Sequence, residues 1–347
     1  MQLDEILHSE ELSKDEIVFL LNLTKECEKK KLFKRADEIR AQYCEDEIHL
    51  RGIIEFSNYC AQNCLYCGSR KDNYILPRYR MTPEEIIEAA KTVSKLGIFT
   101  IILQSGEDMY YDTDLIAYMV YQIKQHADIS IILCLGERGY DEYRAWKYAG
   151  ADGYLLKHET ANENLYSVYH KQQRLEERLN HLRFMKSLGY KIGSGNIIGL
   201  PMQTLEDLAD DLLLCKNLSV DMATFCRFNP SANTPYSDQK KGNVELTLKM
   251  LSVARLVLKD VQIQATTDLA SMEDEALIQG LNVGANVIMP DMTPISYREK
   301  YQISSTGISA DDNPLTCKSN LEKQVESIGR KISNKRGDVL KQNITNT

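Results

Sequence analysis

No apolar run in this sequence approaches the ~18 residues that a membrane-spanning helix needs, which argues against a helical span. The amino terminus, Met1-Gln2-Leu3-Asp4-Glu5, lacks the basic and apolar regions of a secretory signal, so a soluble, cytoplasmic protein is expected. Positive charge is not in excess: 50 acidic against 42 basic residues leave −8 with the histidines neutral, so no overall basic field draws nucleic acid. The short basic stretch from Lys29-Lys30-Lys31 to Arg35 sits among helix-like residues and is read as a solvated helix face rather than a nucleic-acid or membrane contact. Internal repeats and low-complexity segments are missing too. So is a disulfide framework of the secreted kind: the nine cysteines are odd in number, and Cys27, Cys44, Cys134, Cys215 and Cys226 are scattered, as reduced residues are.

What is concentrated is Cys60-Ala61-Gln62-Asn63-Cys64-Leu65-Tyr66-Cys67-Gly68, three cysteines spaced by three and then two residues, directly after the strand-like run Ile53-Ile54-Glu55-Phe56. Three thiolates suit an iron-sulfur cluster. A 4Fe-4S cubane normally takes four cysteines, so a compact set of three leaves one iron to be chelated by something other than protein. Such an iron can bind the amino and carboxylate groups of S-adenosylmethionine (SAM) and pass an electron into its sulfonium, releasing a 5'-deoxyadenosyl radical that abstracts hydrogen from a substrate. The protein's share of that chemistry is binding, orientation and exclusion of side reactions. A zinc site and thiols with no ligand are the competing readings; zinc usually shows paired Cys-x-x-Cys or Cys/His groups, and neither a second pair nor a nearby His follows. With Tyr66 before its last cysteine, the loop resembles the signature of the radical SAM superfamily.

The rest of the chain predicts the frame. Ser13-Lys14-Asp15-Glu16 reads as a capping box ahead of an amphipathic helix, and Leu32 to Tyr43 as a second. Thr82-Pro83-Glu84-Glu85, after the hydrophobic Met81, is a further helix start, which Gly97 can end. Strand candidates are Ile48–Phe56, Phe99–Leu103, Ile129–Leu135, Gly153–Leu156, Lys191–Ile198, Asp221–Phe228, Gln262–Thr266 and Asn286–Met289, with helical patterns between them. This alternation argues for an α/β fold with a parallel sheet and right-handed crossovers, and eight units can close it into a complete (β/α)8 barrel of the TIM type. The expected division is an amino-terminal helical extension over 1–47, the barrel over 48–305, and a carboxyl-terminal extension over 306–347 with a helical stretch near Leu321 to Ile328 and a loose tail.

In a barrel, residues just past each strand converge on one cavity. Past the second strand stand Ser105, Gly106 and Glu107, whose carbonyls and carboxylate suit a methionine ammonium; a strand-ending turn capped by acids is the plainer reading. Past the fourth, Lys157-His158-Glu159 offers Glu159 for a ribose hydroxyl or an ammonium, against a core histidine and a surface acid. Arg178, in the following helix, offers a planar fork for the methionine carboxylate, against an exposed helix arginine. Met222, on the sixth strand, suits adenine, although methionine there is more often core filler. Thr266 and Thr267 end the seventh strand as small polar donors for a substrate.

Taken together, Ile53-Ile54-Glu55-Phe56-Ser57-Asn58, Leu103-Gln104-Ser105-Gly106-Glu107-Asp108, His158-Glu159-Thr160-Ala161-Asn162, Gly199-Leu200-Pro201 and Gly284-Ala285-Asn286-Val287-Ile288-Met289-Pro290 resemble the HydE-type maturases of FeFe-hydrogenase, relatives of biotin synthase and methylornithine synthase. The likeness spans about residues 30 to 330. It implies SAM cleavage at a 4Fe-4S cluster held by Cys60, Cys64 and Cys67, and assembly of the di-iron part of the hydrogenase H-cluster from an iron-complex substrate. It also implies SAM contacts at Glu159, Arg178 and Met222, and a substrate cavity lined by Lys157, Thr266, Thr267 and Tyr301. Its implied partners are an electron donor such as ferredoxin or flavodoxin and the other hydrogenase maturases. The sequence departs from the family on the substrate side. Lys157 replaces a usual Arg, Cys226 to Pro235 differs from the usual run, and Ser304 stands where a second tyrosine is often found. Near the carboxyl end Cys317 is alone, with Ser309 and Asn320 at the partner positions, so no second cluster is expected. Two alternatives stay open: an enzyme acting on a small amino acid, and a cluster or precursor carrier without catalysis.

Overall fold

A computed structural model describes residues 2–265, 276–298, 300–301 and 314–337. Its strands are β1 (Glu47–Leu50), β2 (Gly52–Ser57), β3 (Thr100–Ser105), β4 (Ser130–Cys134), β5 (Gly153–Leu155), β6 (Lys191–Ser194), β7 (Ile197–Ile198), β8 (Met222–Ala223), β9 (Cys226–Arg227), β10 (Gln262–Ile263), β11 (Val287–Ile288) and β12 (Lys331–Ile332). Alternation along β3 and β4 gives the sheet two apolar faces, as parallel sheets covered on both sides require. Ile101, Leu103, Ile131 and Leu133 join the helices in the main core, while Ile102 and Ile132 join Leu155, Met222, Val287 and Met289 in a separate inner layer.

The result is a mixed α/β fold on a curled parallel sheet, with neighbours in the order β10-β8-β6-β5-β4-β3-β2. The β11 segment bonds toward both edges of this series. Asn286 N reaches Ile263 O and Ala265 N reaches Val287 O, each at 2.9 Å, while Ile53 N reaches Pro290 O at 2.9 Å and Met292 N reaches Ile53 O at 2.7 Å.

Helices Lys14–Leu21 and Pro83–Lys95 start at the expected capping boxes of Ser13 with Glu16 and Thr82 with Glu85. The amino-terminal helices Lys14–Leu21 and Glu26–Cys44 pack on Leu205–Asn217 and Val244–Val257 within the main core, tied by Lys14–Asp210 and Lys29–Glu245 pairs at 2.6 Å. Among the described residues, no helix is long and apolar enough to cross a membrane.

Three expected strands are divided. The first strand divides at Arg51: β1 pairs with β11 and β12, whereas β2 pairs with β3. The runs Lys191–Ile198 and Asp221–Phe228 divide as well, into β6 with β7 and β8 with β9, and β7 pairs with β9 separately. The break falls at Gly195, with φ +155°, where an added Cβ would stand 1.8 Å from Thr224 O, so the two segments pass too close for a side chain. In the carboxyl-terminal extension the helix begins earlier than the expected stretch near Leu321 to Ile328, and the end of the chain, expected as a loose tail, lies outside the described residues. Pro314–Ser327 is helical, β12 pairs with β1, and Arg330 Nη1 donates to Leu281 O at 2.7 Å.

Candidate active site

The three-cysteine loop leaves the carboxyl end of β2 and is fixed from several sides. Asn58 Nδ2 donates to Pro77 O at 2.9 Å and Lys300 O at 2.7 Å. Arg78 spreads its guanidinium over four carbonyls, those of Asn58, Ser69, Arg70 and Asn73, and so sets the course of the backbone on both sides of the cysteines. Arg80 forks onto Asp108 at 2.7 and 2.8 Å and lies 3.8 Å from the centre of the Tyr59 ring. Ser57 Oγ donates to the same Asp108 carboxylate at 2.7 Å.

The turn after β3 serves this loop directly. Glu107 N donates to Cys60 Sγ at 3.4 Å and Ala61 N to Glu107 O at 3.0 Å. A Cβ on Gly106 would stand 2.2 Å from Tyr59 O and 2.7 Å from Cys60 Cβ. Glycine is therefore needed here because the cysteine loop itself approaches. Ser105 Oγ turns back to Gly106 O at 2.7 Å. The Glu107 carboxylate is engaged: Oε2 accepts from Gln62 Nε2, and Oε1 accepts from Glu137 N at 3.0 Å and Gln173 Nε2 at 3.3 Å. These bonds describe a brace between the cysteine loop and the ends of β4 and the 169–173 turn, in place of a carboxylate open to an ammonium.

Arg178 is buried, so the exposed-arginine reading falls. Its Nε donates to Glu137 Oε1 at 2.7 Å and its Nη1 to Lys157 O at 2.9 Å. Glu159 stands beside it with a left-handed backbone, φ +68°, rare for a residue with a side chain and typical of sites where the fold imposes strain. Lys157 Nζ lies 3.0 Å from Glu159 Oε2. Burial pushes the Glu159 carboxyl up, but the cations Lys157 and Arg178 help to hold the group below its ordinary value. His158 is the core histidine of the plainer reading, its Nδ1 3.0 Å from Ser194 Oγ. His170, which carried no signal in the sequence, is buried against the loop and kept neutral, with burial and then Arg178 lowering it to about 4.

Deeper in the curl a second polar group gathers. Gln104 Nε2 donates to Glu55 Oε1 at 3.3 Å, and Glu55 and Tyr79 are among the charges that raise Tyr301 after burial. Cys134 links the two groups. Burial pushes its thiol up to about 12, and Lys157, Glu159, Arg178 and Glu55 all act on it. Met222, 3% exposed, lies in the inner apolar layer with Ile102, Ile132, Leu155, Val287 and Met289, against which Cys134 packs. Those are apolar neighbours, on the inner face of the sheet where the expected adenine contact would also lie. Thr266 and Thr267 lie outside the described residues.

The residues present fit an iron-sulfur cluster. Two N–H groups, from Gln62 and Glu107, meet Cys60 Sγ at 3.4 Å and favour its thiolate. Cys64 is raised by burial and then by Cys67 and Cys60, and Cys67 is pushed up to about 12 by burial and then by Cys60, so the three thiols act on one another. Among the described residues, no three His, Cys, Asp or Glu side chains close on a single point. A cubane does not ask for that, because it spreads its cysteines over different irons where zinc would gather them around one ion.

Glu137, Gln173, Arg78, Arg80, His170 and Glu55 belong to the site and were not singled out from the sequence. Glu137 was within reach, since it follows β4 as Glu107 follows β3.

A model of the radical SAM superfamily matches residues 54–215. Among curated proteins, the FeFe hydrogenase maturase subunit HydE of Thermotoga maritima is 47% identical over 300 residues, 86% of each chain. The 3-methylornithine synthase of Methanosarcina acetivorans is 28% identical over 331 residues, 95% of this chain and 89% of that one. Among solved structures, methylornithine synthase (PylB) superposes with a TM-score of 0.85 at 26% identity, covering 95% of this chain and 97% of that one. The hydrogenase maturase HydG gives 0.81 at 18% identity over 96% and 75%, a likeness of fold. With its three-cysteine loop, this chain belongs to the radical SAM superfamily, in the family of the HydE maturases.

Proposed function

We propose that this chain is a radical SAM enzyme of the HydE type that acts in assembly of the di-iron subcluster of the FeFe-hydrogenase H-cluster. The observation that carries this reading is the chain of contacts that ties the three-cysteine loop, through Gln62, Glu107 and Glu137, to Arg178 and on through Lys157 to Glu159. When bound, the 4Fe-4S cluster supplies the electron that splits SAM into methionine and a 5'-deoxyadenosyl radical. Cys60, Cys64 and Cys67 hold three irons. Arg178, with Nε and Nη1 engaged, offers Nη2 to the methionine carboxylate, and Glu159 takes the ammonium or a ribose hydroxyl. Ser105, Gly106 and Glu107 hold the loop in place, and Met222 lies in the apolar layer beneath. Lys157 and Tyr301 line the side where an iron-complex substrate would enter; Thr266 and Thr267, expected to join them, lie outside the described residues.

The bonds from β11 toward β2 and β10 support closure of the sheet into a complete eight-stranded barrel, with the helical extension at 1–47, the barrel at 48–305 and the extension at 306–347. A cytoplasmic location, an electron donor of the ferredoxin or flavodoxin kind, and contact with the other maturases fit this reading.

Anaerobic turnover tests it. The protein with a strong reductant is expected to form 5'-deoxyadenosine and methionine, and Cys64→Ala to form none; cleavage retained in Cys64→Ala sinks the proposal. The likeness to PylB over nearly the whole chain favours, as a second reading, rearrangement of a small amino acid. Product analysis with and without a tyrosine-derived iron precursor separates the two.

A further inference from the structure

The end of helix Glu163–Tyr169 and the turn that follows it reach the cysteine loop and the Glu107 brace at three points. Leu65 N donates to Tyr169 O at 3.3 Å, the His170 ring meets Cys64 and Tyr66, and Gln173 reaches Glu107. The middle contact is the unusual one. His170 Nδ1 lies 3.3 Å from Cys64 Sγ, and its Nε2 lies 3.2 Å from the Tyr66 hydroxyl. The ring is held flat against Tyr166 at 4.6 Å and 23° and edge-on to Tyr66 at 5.8 Å and 82°. It is 4% exposed, so water does not compete for either nitrogen.

Which nitrogen carries the proton follows from the sulfur. While Cys64 is a thiol it has a proton to give, and Nδ1 can accept it. Once Cys64 is an iron ligand its sulfur has none, and the contact is satisfied only when Nδ1–H donates. Nε2 is then the lone-pair nitrogen, and the Tyr66 hydroxyl donates to it. Hydrogen bonds to a ligating sulfur draw electron density from it and stabilise the more electron-rich, reduced state of a cluster.

We infer that Tyr66 and His170 form a hydrogen-bond relay onto the cluster ligand Cys64 that raises the reduction potential of the cluster. His170 is a positioning residue: it acts through Cys64 and touches neither SAM nor substrate in this reading. The inference rests on Cys64 being a cluster ligand, as proposed above. It adds a second task to the aromatic residue of the cysteine motif, because the ring of Phe at position 66 would pack equally well but could not donate.

The test is a redox titration of the anaerobically reconstituted protein, followed by electron paramagnetic resonance, with iron and sulfide counted in each sample. His170→Leu removes the donor and is expected to load fully yet show a more negative midpoint. His170→Asn, whose amide can stand in for Nδ1–H, is expected to stay near the wild-type value. Tyr66→Phe is expected to shift in the same direction as His170→Leu by a smaller amount. A wild-type midpoint in fully loaded His170→Leu overturns the inference. Should His170→Leu fail to load, Tyr66→Phe decides: a negative shift supports the relay and an unchanged midpoint overturns it. A wild-type protein that binds no cluster overturns the proposed function instead, so the two failures are distinct.

Discussion

Glu159 and Glu55 both lie near Cys134, yet their surroundings push their carboxyl pKa values in opposite directions. Glu159 is buried among cations: Lys157 at 3.0 Å, with Arg178 alongside, keeps its carboxyl below the ordinary value in spite of burial. Glu55 is buried beside a second acid. Burial first and Asp291 second push it well above the ordinary value, with Arg298 opposing. On one wall of the interior cations therefore favour the ionised carboxylate, as a site for a zwitterionic co-substrate requires, while on the other burial beside a second acid favours the protonated one. The contrast extends to the backbone. β2 to β4 pair over five residues at a time, whereas β8, β10 and β11 pair over two.

The largest expected effect comes from breaking the charged wall. Arg178→Met takes from Glu137 its 2.7 Å ion-pair partner and leaves Glu159 with Lys157 alone, a loss of up to about 3 kcal/mol. It should weaken SAM binding by roughly a hundredfold or more, read by equilibrium binding and thermal unfolding. Arg178→Lys keeps the charge without the fork and should fall between. SAM binding at the wild-type level in Arg178→Met would erase the distinction between the walls.

A middle effect is expected from Lys157→Met. Because the folded pKa of Glu159 is depressed, its ionised form is complete above its ordinary value of 4.5 and is lost only as pH falls below that. Without Lys157 the loss begins at higher pH. The variant's SAM affinity should begin to fall at a higher pH than the wild type's, read from paired binding profiles. Matching profiles would mean that Lys157 is not what keeps Glu159 charged.

The smallest effect is expected from Glu55→Gln, which replaces a protonated acid by an amide of its own shape. A raised folded pKa means that the folded chain retains a proton that the unfolded chain releases, so Glu55 subtracts stability as pH rises above 4.5. The variant should lie within about 1 kcal/mol of wild type at pH 5, gain on it toward pH 8, and bind SAM equally well. A variant less stable than wild type at pH 8 would show that Glu55 is ionised and that the two walls are alike.

The parts of this site carried by local spacing were legible in the sequence. The cysteine loop, the capping boxes at Ser13 and Thr82, and the place of Glu107 and Glu159 just past their strands needed only neighbouring residues. Arg178 was ambiguous, because a helical arginine reads the same whether exposed or buried, and the burial comes from Glu137 and Lys157 in other units. Arg78, Gln173 and His170 were invisible for a related reason: His170 is 106 residues from Cys64, and Gln173 66 from Glu107, distances that no local pattern spans. Met222 was placed on the right strand, and alternation turns it into the apolar inner layer. The divided strands were missed because Gly195 reads as an ordinary strand glycine until Thr224 is seen against it.

The most direct measurement is electron paramagnetic resonance of the reduced, anaerobically reconstituted protein before and after SAM is added, paired with an iron count. About four irons per chain are expected, with a signal that changes shape when SAM binds and does not change in Arg178→Met. A protein without a cluster, or with a signal indifferent to SAM, would contradict an open iron at this loop.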